Sequence, residues 1–273
     1  MRPLNQNAFL RRAAWSLGRR LYCWARGDLP NDPRTNGEYW LLDQVMRQGG
    51  ADLALFDVGA NRGDWTWRAT RIASRLRRRA SVMAFEPCSE TRAMLEARVA
   101  GLDGVHVSGL ALSSNSGTAD FFSGGAGAGT NSLSSISGSD RETVELATVD
   151  EIAGRHGISS LSMLKIDTEG FDFDVLAGAA GMLAAGKVEL VQFEYNWRWL
   201  PNHRSLRDVF DFINGKPYLV GKLNGPSIEI YEAWHFEMDR YFENNYLLIR
   251  KDSKLVQLGR RFSFDRSNIP FTE

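Results

Sequence analysis

Short apolar runs alternate along the chain with stretches in which apolar residues recur every three to four positions. The runs are DLALFDV (52–58), ASVMAFE (80–86), VHVSGLAL (105–112), LSMLKID (161–167), VELVQFEY (188–195) and NYLLIRK (245–251). They are short and rich in Val, Leu, Ile and Phe, as strands buried on both faces are. Between them, residues 64–79, 89–100, 148–157, 172–185 and 205–214 carry the helical period. Strands separated by helices need crossover connections, which predicts an α/β fold: a mostly parallel twisted sheet with helices on both faces.

Both ends and one internal stretch stand outside this alternation. Residues 5–27 place Leu10, Ala14, Leu17, Leu21 and Trp24 at helical spacing among arginines, with no acid before Asp28. Such a helix either docks on the domain with its arginines solvated, the commoner arrangement, or makes a peripheral contact with an anionic membrane surface. GDLPNDPRTNGE then breaks the pattern, and Thr35 or Asn36 is placed to cap a helix running through Arg47, with Glu38 at capping-box distance from Thr35. SGGAGAGTNSLSSISGS (123–139) has neither period and reads as a long functional or disordered loop. The segment from Asp252 to Glu273 is polar and weakly patterned. The expected boundaries are therefore a basic helical extension at 1–35, one α/β domain at 36–251 and a tail at 252–273.

Composition narrows the class without naming it. The chain has 33 basic and 33 acidic residues, so its net charge of zero points to no nucleic-acid partner. Only six basic residues are lysine, leaving 27 arginines, many of them within the first 80 positions. Cys23 and Cys88 are far apart, which is no disulfide framework and fits a reducing compartment; Cys88 reads as a small packing residue. No run reaches the length of a membrane-spanning helix, and Arg11, Arg12, Arg19 and Arg20 interrupt any apolar leader, so the expectation is a cytoplasmic protein.

The candidate chemistry starts where the first strand ends, at Asp57-Val58-Gly59. Ligands of open α/β sheets bind beyond the carboxyl ends of the strands. Gly59 and Gly63 let backbone approach a ligand there, with little bulk from Ala60 and Asn61. A dinucleotide fingerprint needs a glycine two positions after Gly59, where this chain has Asn61. Asp57 would also repel a phosphate and suits an ammonium instead. A ligand with an amino-acid end, an adenosine end and no phosphate meets these demands: S-adenosylmethionine. Glu86, followed by Pro87 at the second strand end, can accept hydrogen bonds from both ribose hydroxyls.

The motifs DVGANRG, FEP, LALSSNSGTADFF, GTNSLSS, TVDEI and LKIDTEGFDFDVLAGA, in this order over about residues 40–250, resemble those of the FkbM-type methyltransferases. The resemblance implies a Rossmann-like class I methyltransferase fold with an antiparallel last strand. It also implies an S-adenosylmethionine-dependent O-methyltransferase acting by in-line transfer on a hydroxyl of a sugar, glycan or natural product. By position it puts Asp57, Gly59, Asn61 and Gly63 around the methionine end, Glu86 at the ribose, and Ala111 and Leu112 beside adenine. A nicotinamide-dependent oxidoreductase and a non-catalytic domain of the same fold, held at a membrane or partner, are the alternatives.

A hydroxyl needs help to lose its proton, from a base or a metal. Alternation puts Lys165 and Asp167 on one face at the end of LSMLKID, and Glu194 ends VELVQFEY. If these strands are neighbours, Asp167, Glu169 and Glu194 converge, as base and substrate clamp or as ligands of a divalent ion such as Mg²⁺. Lys165 reads as the partner of Asp167, and Asp167 as the group that matters most. His203 and His235 are the other candidate bases. Substrate contacts are expected from loops 124–138, 195–204 and 222–240. Trp197, Trp199 and Trp234 offer stacking faces there, and Asn196, Asn202 and Arg198 offer polar contacts.

Overall fold

The computed structural model describes residues 8–123 and 140–272. Its elements begin with α1 (Ala8–Ala25), α2 (Glu38–Gln48), β1 (Asp52–Val58), α3 (Asp64–Arg75), β2 (Arg79–Phe85), α4 (Ser89–Val99), β3 (Val105–Ser108) and β4 (Ala111–Leu112). β5 (Gly117–Ser123), β6 (Asp140–Ala147), α5 (Val149–Arg155), β7 (Met163–Ile166), α6 (Asp172–Gly178), α7 (Ala180–Ala184), β8 (Leu190–Tyr195) and α8 (Leu206–Ile213) follow. β9 (Tyr218–Leu223), β10 (Ile228–Tyr231), β11 (Asn244–Arg250), β12 (Gly259–Phe264) and β13 (Pro270–Thr272) complete the order.

Five strands run parallel in the order β3-β2-β1-β7-β8, and β11 enters antiparallel between β8 and β9. Strand parity decides which layer each helix joins. Leu53 and Leu55 of β1 point to one face and pack with Leu41, Leu42, Val45 and Met46 of α2 and Trp65, Ala69 and Ile72 of α3. Phe56 and Val58 point to the other, against α5, α6 and α8 through Ile152, Leu176 and Val209. This is the expected largely parallel sheet covered on both faces. The chain winds one way from β1 through β2 to β3, then returns to β7 on the other side, so the crevice opens at the carboxyl end of β1.

Three stretches differ from the sequence reading. The run 105–112 is not one strand: β3 joins β2, and β4 leaves to pair with β6 in a small sheet ordered β4-β6-β5. β4 buries Ala111 and Leu112 and β3 half-buries Val105 and Val107, so both halves carry apolar side chains inward and periodicity alone cannot mark the change of sheet. The helix expected over 172–185 is two, α6 and α7, broken at Ala179. A Cβ on Gly178 would stand 2.1 Å from the Ser113 carbonyl oxygen, so glycine lets α6 press against the backbone beyond β4. The weakly patterned C-terminal segment supplies β12, parallel to β10, and β13. Tyr231 of β10 stacks on Phe264 of β12.

The capping box expected at Thr35 and Glu38 does not form. Asn36 Oδ1 accepts from the Glu38 amide at 2.9 Å, while the Glu38 side chain turns inward. The segment leading into α2 is tied to the sheet by a buried pair, Lys222 Nζ to Asp28 Oδ1 at 2.5 Å. α1 is amphipathic as expected, yet none of its residues is buried. It touches the domain through its C-terminal half, where Tyr22 meets Phe242 edge-on and Arg19 lies over the same ring.

The C-terminal segment also contributes Leu255, fully buried among the β-sheet residues that face α2. Leu255→Ala should therefore lower stability in urea by about 2–5 kcal/mol, as large-to-small core changes do. A loss under about 0.5 kcal/mol, the usual effect at a surface site, would mean that the segment is an appendage.

Candidate active site

The turn after β1 is pinned before it turns. The amides of Gly59 and Ala60 both donate to the Phe85 carbonyl at 3.0 Å, which draws the turn against the end of β2. Gly59 has φ 78°, and a Cβ there would lie 1.9 Å from the Asp167 carbonyl oxygen. Only glycine allows that approach, which packs the turn against the end of β7. Asn61, also left-handed at φ 47°, donates its amide to Glu86 Oε2 at 2.9 Å. The Cys88 amide donates to the other oxygen, Oε1, at 3.0 Å. Cys88 itself is buried, as a packing residue is.

These constraints shape a cleft of about 670 Å³ across the strand ends. Phe85, Leu110, Ala111, Leu112 and Phe121 give it an apolar end, and Asn61, Glu86, Asp167, Thr168 and Glu169 a polar one. Asn61 Oδ1 and Thr168 Oγ1 are buried with no hydrogen-bond partner among the described residues, so a polar ligand has groups to satisfy here. A second hollow, about 900 Å³, adjoins it beneath α2, lined by Glu38, Tyr39, Arg62, Trp65 and Lys165. Gly59, Asn61 and Asp167 belong to both.

Register explains the charge between them. Asp57, Lys165 and Gln192 are direct neighbours across β1, β7 and β8, so their side chains form one row under α2. Lys165 Nζ stands 3.4 Å from Asp57 Oδ1 and 3.3 Å from Asp167 Oδ2. Thr66 of α3 donates to Asp57 Oδ2 at 2.6 Å, and Gln192 donates to Glu38 at 2.7 Å. Burial opposes a charge on Lys165, yet Asp167, Asp57 and Glu38 together hold its pKa above the ordinary lysine value. Glu38 is pushed up by burial, against the pull of Lys165. Burial opposes the charge on Glu38, yet Asp57 and Asp167 alone outnumber the one ammonium, a balance that suits a cationic ligand.

The sequence profile of the methyltransferase FkbM domain matches residues 57–220, from the carboxylate of this row to the middle of β9. The chain belongs to the FkbM methyltransferase family. Its sheet is that of the Rossmann-like class I methyltransferases, and its methyl donor is S-adenosylmethionine. No match was found among curated protein sequences. Among solved structures the chain is similar to a putative rRNA methylase from Clostridium thermocellum, with 9% identity, TM-score 0.45, and 81% of this chain and 100% of that one covered. TrmK from M. capricolum, in complex with S-adenosylhomocysteine, gives 12% identity, TM-score 0.42, and coverage of 84% and 73%. The precorrin-6y C5,15-methyltransferase from Geobacter metallireducens gives 9%, 0.40, and coverage of 78% and 88%.

Several residues of this FkbM methyltransferase lie where the motif order puts them: Gly59, Asn61, Glu86, Pro87, Ala111, Leu112, Asp167 and Glu169 all line the cleft. Others do not reach it. Asp57 is fully buried, and the ammonium it faces is that of Lys165 rather than a ligand's. Ala60 faces the second hollow, and Gly63 starts α3 against Leu95. β7 and β8 are indeed adjacent, but the Glu194 carboxylate accepts from Asn31 at 2.8 Å and Asn196 at 2.6 Å, outside the cleft. Burial and then Asp167 raise its pKa. The Glu169 carboxylate pairs with Arg198, and burial followed by Asp167 pushes it up to about 8.

Among the described residues no three His, Cys, Asp or Glu side chains converge as metal ligands, so Asp167, Glu169 and Glu194 do not fit a Mg²⁺ site. His203 is exposed at the left-handed end of the turn Trp197–Asn202, away from the cleft lining. His235 stacks on Phe264 at 4.0 Å. Of the expected stacking platforms, Trp199 is core: it is 0% exposed and donates to the Glu194 carbonyl. Trp234 is held by Asp239, and Trp197 alone of the three is exposed, with Arg198 over its ring. Asn196 and Asn202 are engaged with Glu194, the Arg198 amide and the Gly170 carbonyl. Loop 124–138, GTNSLSS included, lies outside the described residues.

The sequence reading missed Glu38, Phe121, Thr168 and Phe171. One signal was present: Gln192 is a polar residue in the middle of a strand buried on both faces, and such a group requires a buried polar partner.

Burial raises Glu86 to about 7 despite the two amides it accepts. With Glu86 as the expected acceptor of the ribose hydroxyls, its ionised form binds them best, so affinity for S-adenosylhomocysteine should be full above pH 7 and fall up to ~tenfold per unit below it. Calorimetric titration across that range should show the slope in the native chain and none in Glu86→Gln. A flat native profile would remove Glu86 from the ribose. A slope that persists in the variant would assign it to Glu169 or Asp172, whose pKa values burial also raises.

Proposed function

We propose that this methyltransferase is an O-methyltransferase that modifies a hydroxyl of a sugar, glycan or natural product. The observation that carries the reading is the position of Asp167. Its carboxylate is half-exposed, and it lines both the cleft that suits adenosine and the hollow beside it. A donor in the first and an acceptor approaching from the second meet next to one carboxylate. When bound, S-adenosylmethionine supplies an electrophilic methyl group on a positively charged sulfur. The residues of the chain align and take the proton. Glu86 holds the ribose, Ala111 and Leu112 flank the adenine, and Asn61 with Gly59 borders the methionine end.

Asp167 accepts the proton of the acceptor hydroxyl as the oxygen becomes bonded to carbon. Lys165 fixes that carboxylate in place, 3.3 Å away, and balances its charge. Asp57 acts through Lys165 and is a positioning residue. The excess of carboxylates over ammonium in the row favours the cationic donor over a phosphorylated coenzyme, which argues against the nicotinamide reading, as does family membership. A cytoplasmic location and a small-molecule or glycan acceptor, with no nucleic acid, complete the reading.

Asp167→Asn should lower kcat by ~10²–10⁴-fold, as loss of a general base does, while affinity for S-adenosylhomocysteine stays within about threefold. Glu86→Ala should do the reverse, weakening the cofactor more than ~tenfold at an unaltered fold. Equal loss of cofactor binding in both variants would show that Asp167 holds the donor rather than the acceptor proton.

A further inference from the structure

We propose that α1 is a lipid-surface anchor that binds the enzyme to an anionic bilayer. Arg19, Tyr22 and Arg26 meet the domain from one side of the helix. Tyr22 packs edge-on against Phe242 at 5.8 Å and its hydroxyl donates to Glu237; Arg19 lies over the Phe242 ring at 5.4 Å. Just beyond the helix, Arg26 donates to the Glu237 carbonyl at 2.8 Å and pairs with Asp28. Leu17, Leu21 and Trp24 fall within about 60° of one another on the helix, with Ala14 beside them, and at least about 100° from Tyr22. That arc faces away from the domain: Leu17 is 60% exposed, Leu21 56% and Trp24 81%.

An apolar arc left in water needs an occupant, and charge selects it. Arg11 and Arg20 flank the arc, Arg19 is held over Phe242, and there is no aspartate or glutamate from Met1 to Gly27. A second copy of the helix would set arginines against arginines. An acidic headgroup layer instead attracts the arginines while the acyl boundary takes up the leucines, and Trp24 at the helix end suits the headgroup level. α1 is not long and apolar enough to cross a membrane, so it lies in the surface plane. The link to the site is short. Nine residues after Tyr22, Asn31 donates to Glu194 at the end of β8, and Glu38, which opens α2, lines the second hollow with Lys165. A bilayer-bound α1 holds the strand ends near the lipid surface.

Flotation of the full chain with phosphatidylcholine vesicles, alone or with ~30% phosphatidylserine, tests the assignment. The native chain should float with the anionic vesicles, at least about tenfold more than with neutral ones, and raised salt should release it. Leu17→Glu with Leu21→Glu, and separately Arg11 and Arg20 to Gln, should each cut binding at least about tenfold. Thermal unfolding should match the native chain, because the substituted side chains are off the core. Absence of flotation with anionic vesicles at low salt would overturn the proposal. So would flotation unaffected by the leucine variants, or light scattering that shows a dimer abolished by those variants.

Discussion

The fold and the site both depend on one buried ammonium. Lys165 projects from β7 between Asp57 of β1 and Asp167 just past its own strand, under Glu38 of α2. Taking one lysine and the carboxylates of Asp57 and Glu38 out of water is costly, and the arrangement holds only because each group has partners at close range. Asp57 has Thr66 as well as Lys165, and Glu38 has Gln192, which in turn donates to Asn245 of β11. The row therefore couples four strands and two helices at the edge where ligands of such sheets bind. It also fixes the Asp167 side chain, whose own backbone closes against the glycine turn. A change at Lys165 would strand buried carboxylates and loosen the cleft at once.

The same row gives physical content to the choice of cofactor. The turn lacks the glycine that admits a pyrophosphate, and the carboxylates behind it outnumber the ammonium. Both features favour a donor that carries positive charge and no phosphate. Glu86 divides its two oxygens between the amides of Asn61 and Cys88, and those bonds orient it into the cleft while leaving lone pairs for two hydroxyls. The apolar end formed by Phe85, Leu112 and Phe121 is contributed by β2, β4 and β5, so the small second sheet completes the pocket for a flat base.

Much of this was legible in the residues. DLALFDV, ASVMAFE, LSMLKID and VELVQFEY read as buried strands because they are, and the ends of the first three carry Gly59, Glu86 and Asp167 into the cleft. What the sequence left hidden shares a cause: polarity and aromaticity do not state direction. Trp199 has the composition of a stacking platform but faces the core, whereas Trp197, two residues earlier, faces out. Asp57 looks like a ligand group and turns out to be a counter-ion for Lys165. Glu38 sits at capping-box spacing yet points under α2, where long-range packing with Gln192 outweighs a local cap. The C-terminal strands have little periodicity because they sit at the sheet edge, half in solvent.

The most direct measurement of the central claim is a crystal structure of the chain grown with S-adenosylhomocysteine. The account predicts ribose hydroxyls within hydrogen-bond distance of Glu86, adenine against Ala111 and Leu112, and the sulfur turned toward Asp167 at the border of the two hollows. Electron density for the compound elsewhere, or with its ribose away from Glu86, would contradict it.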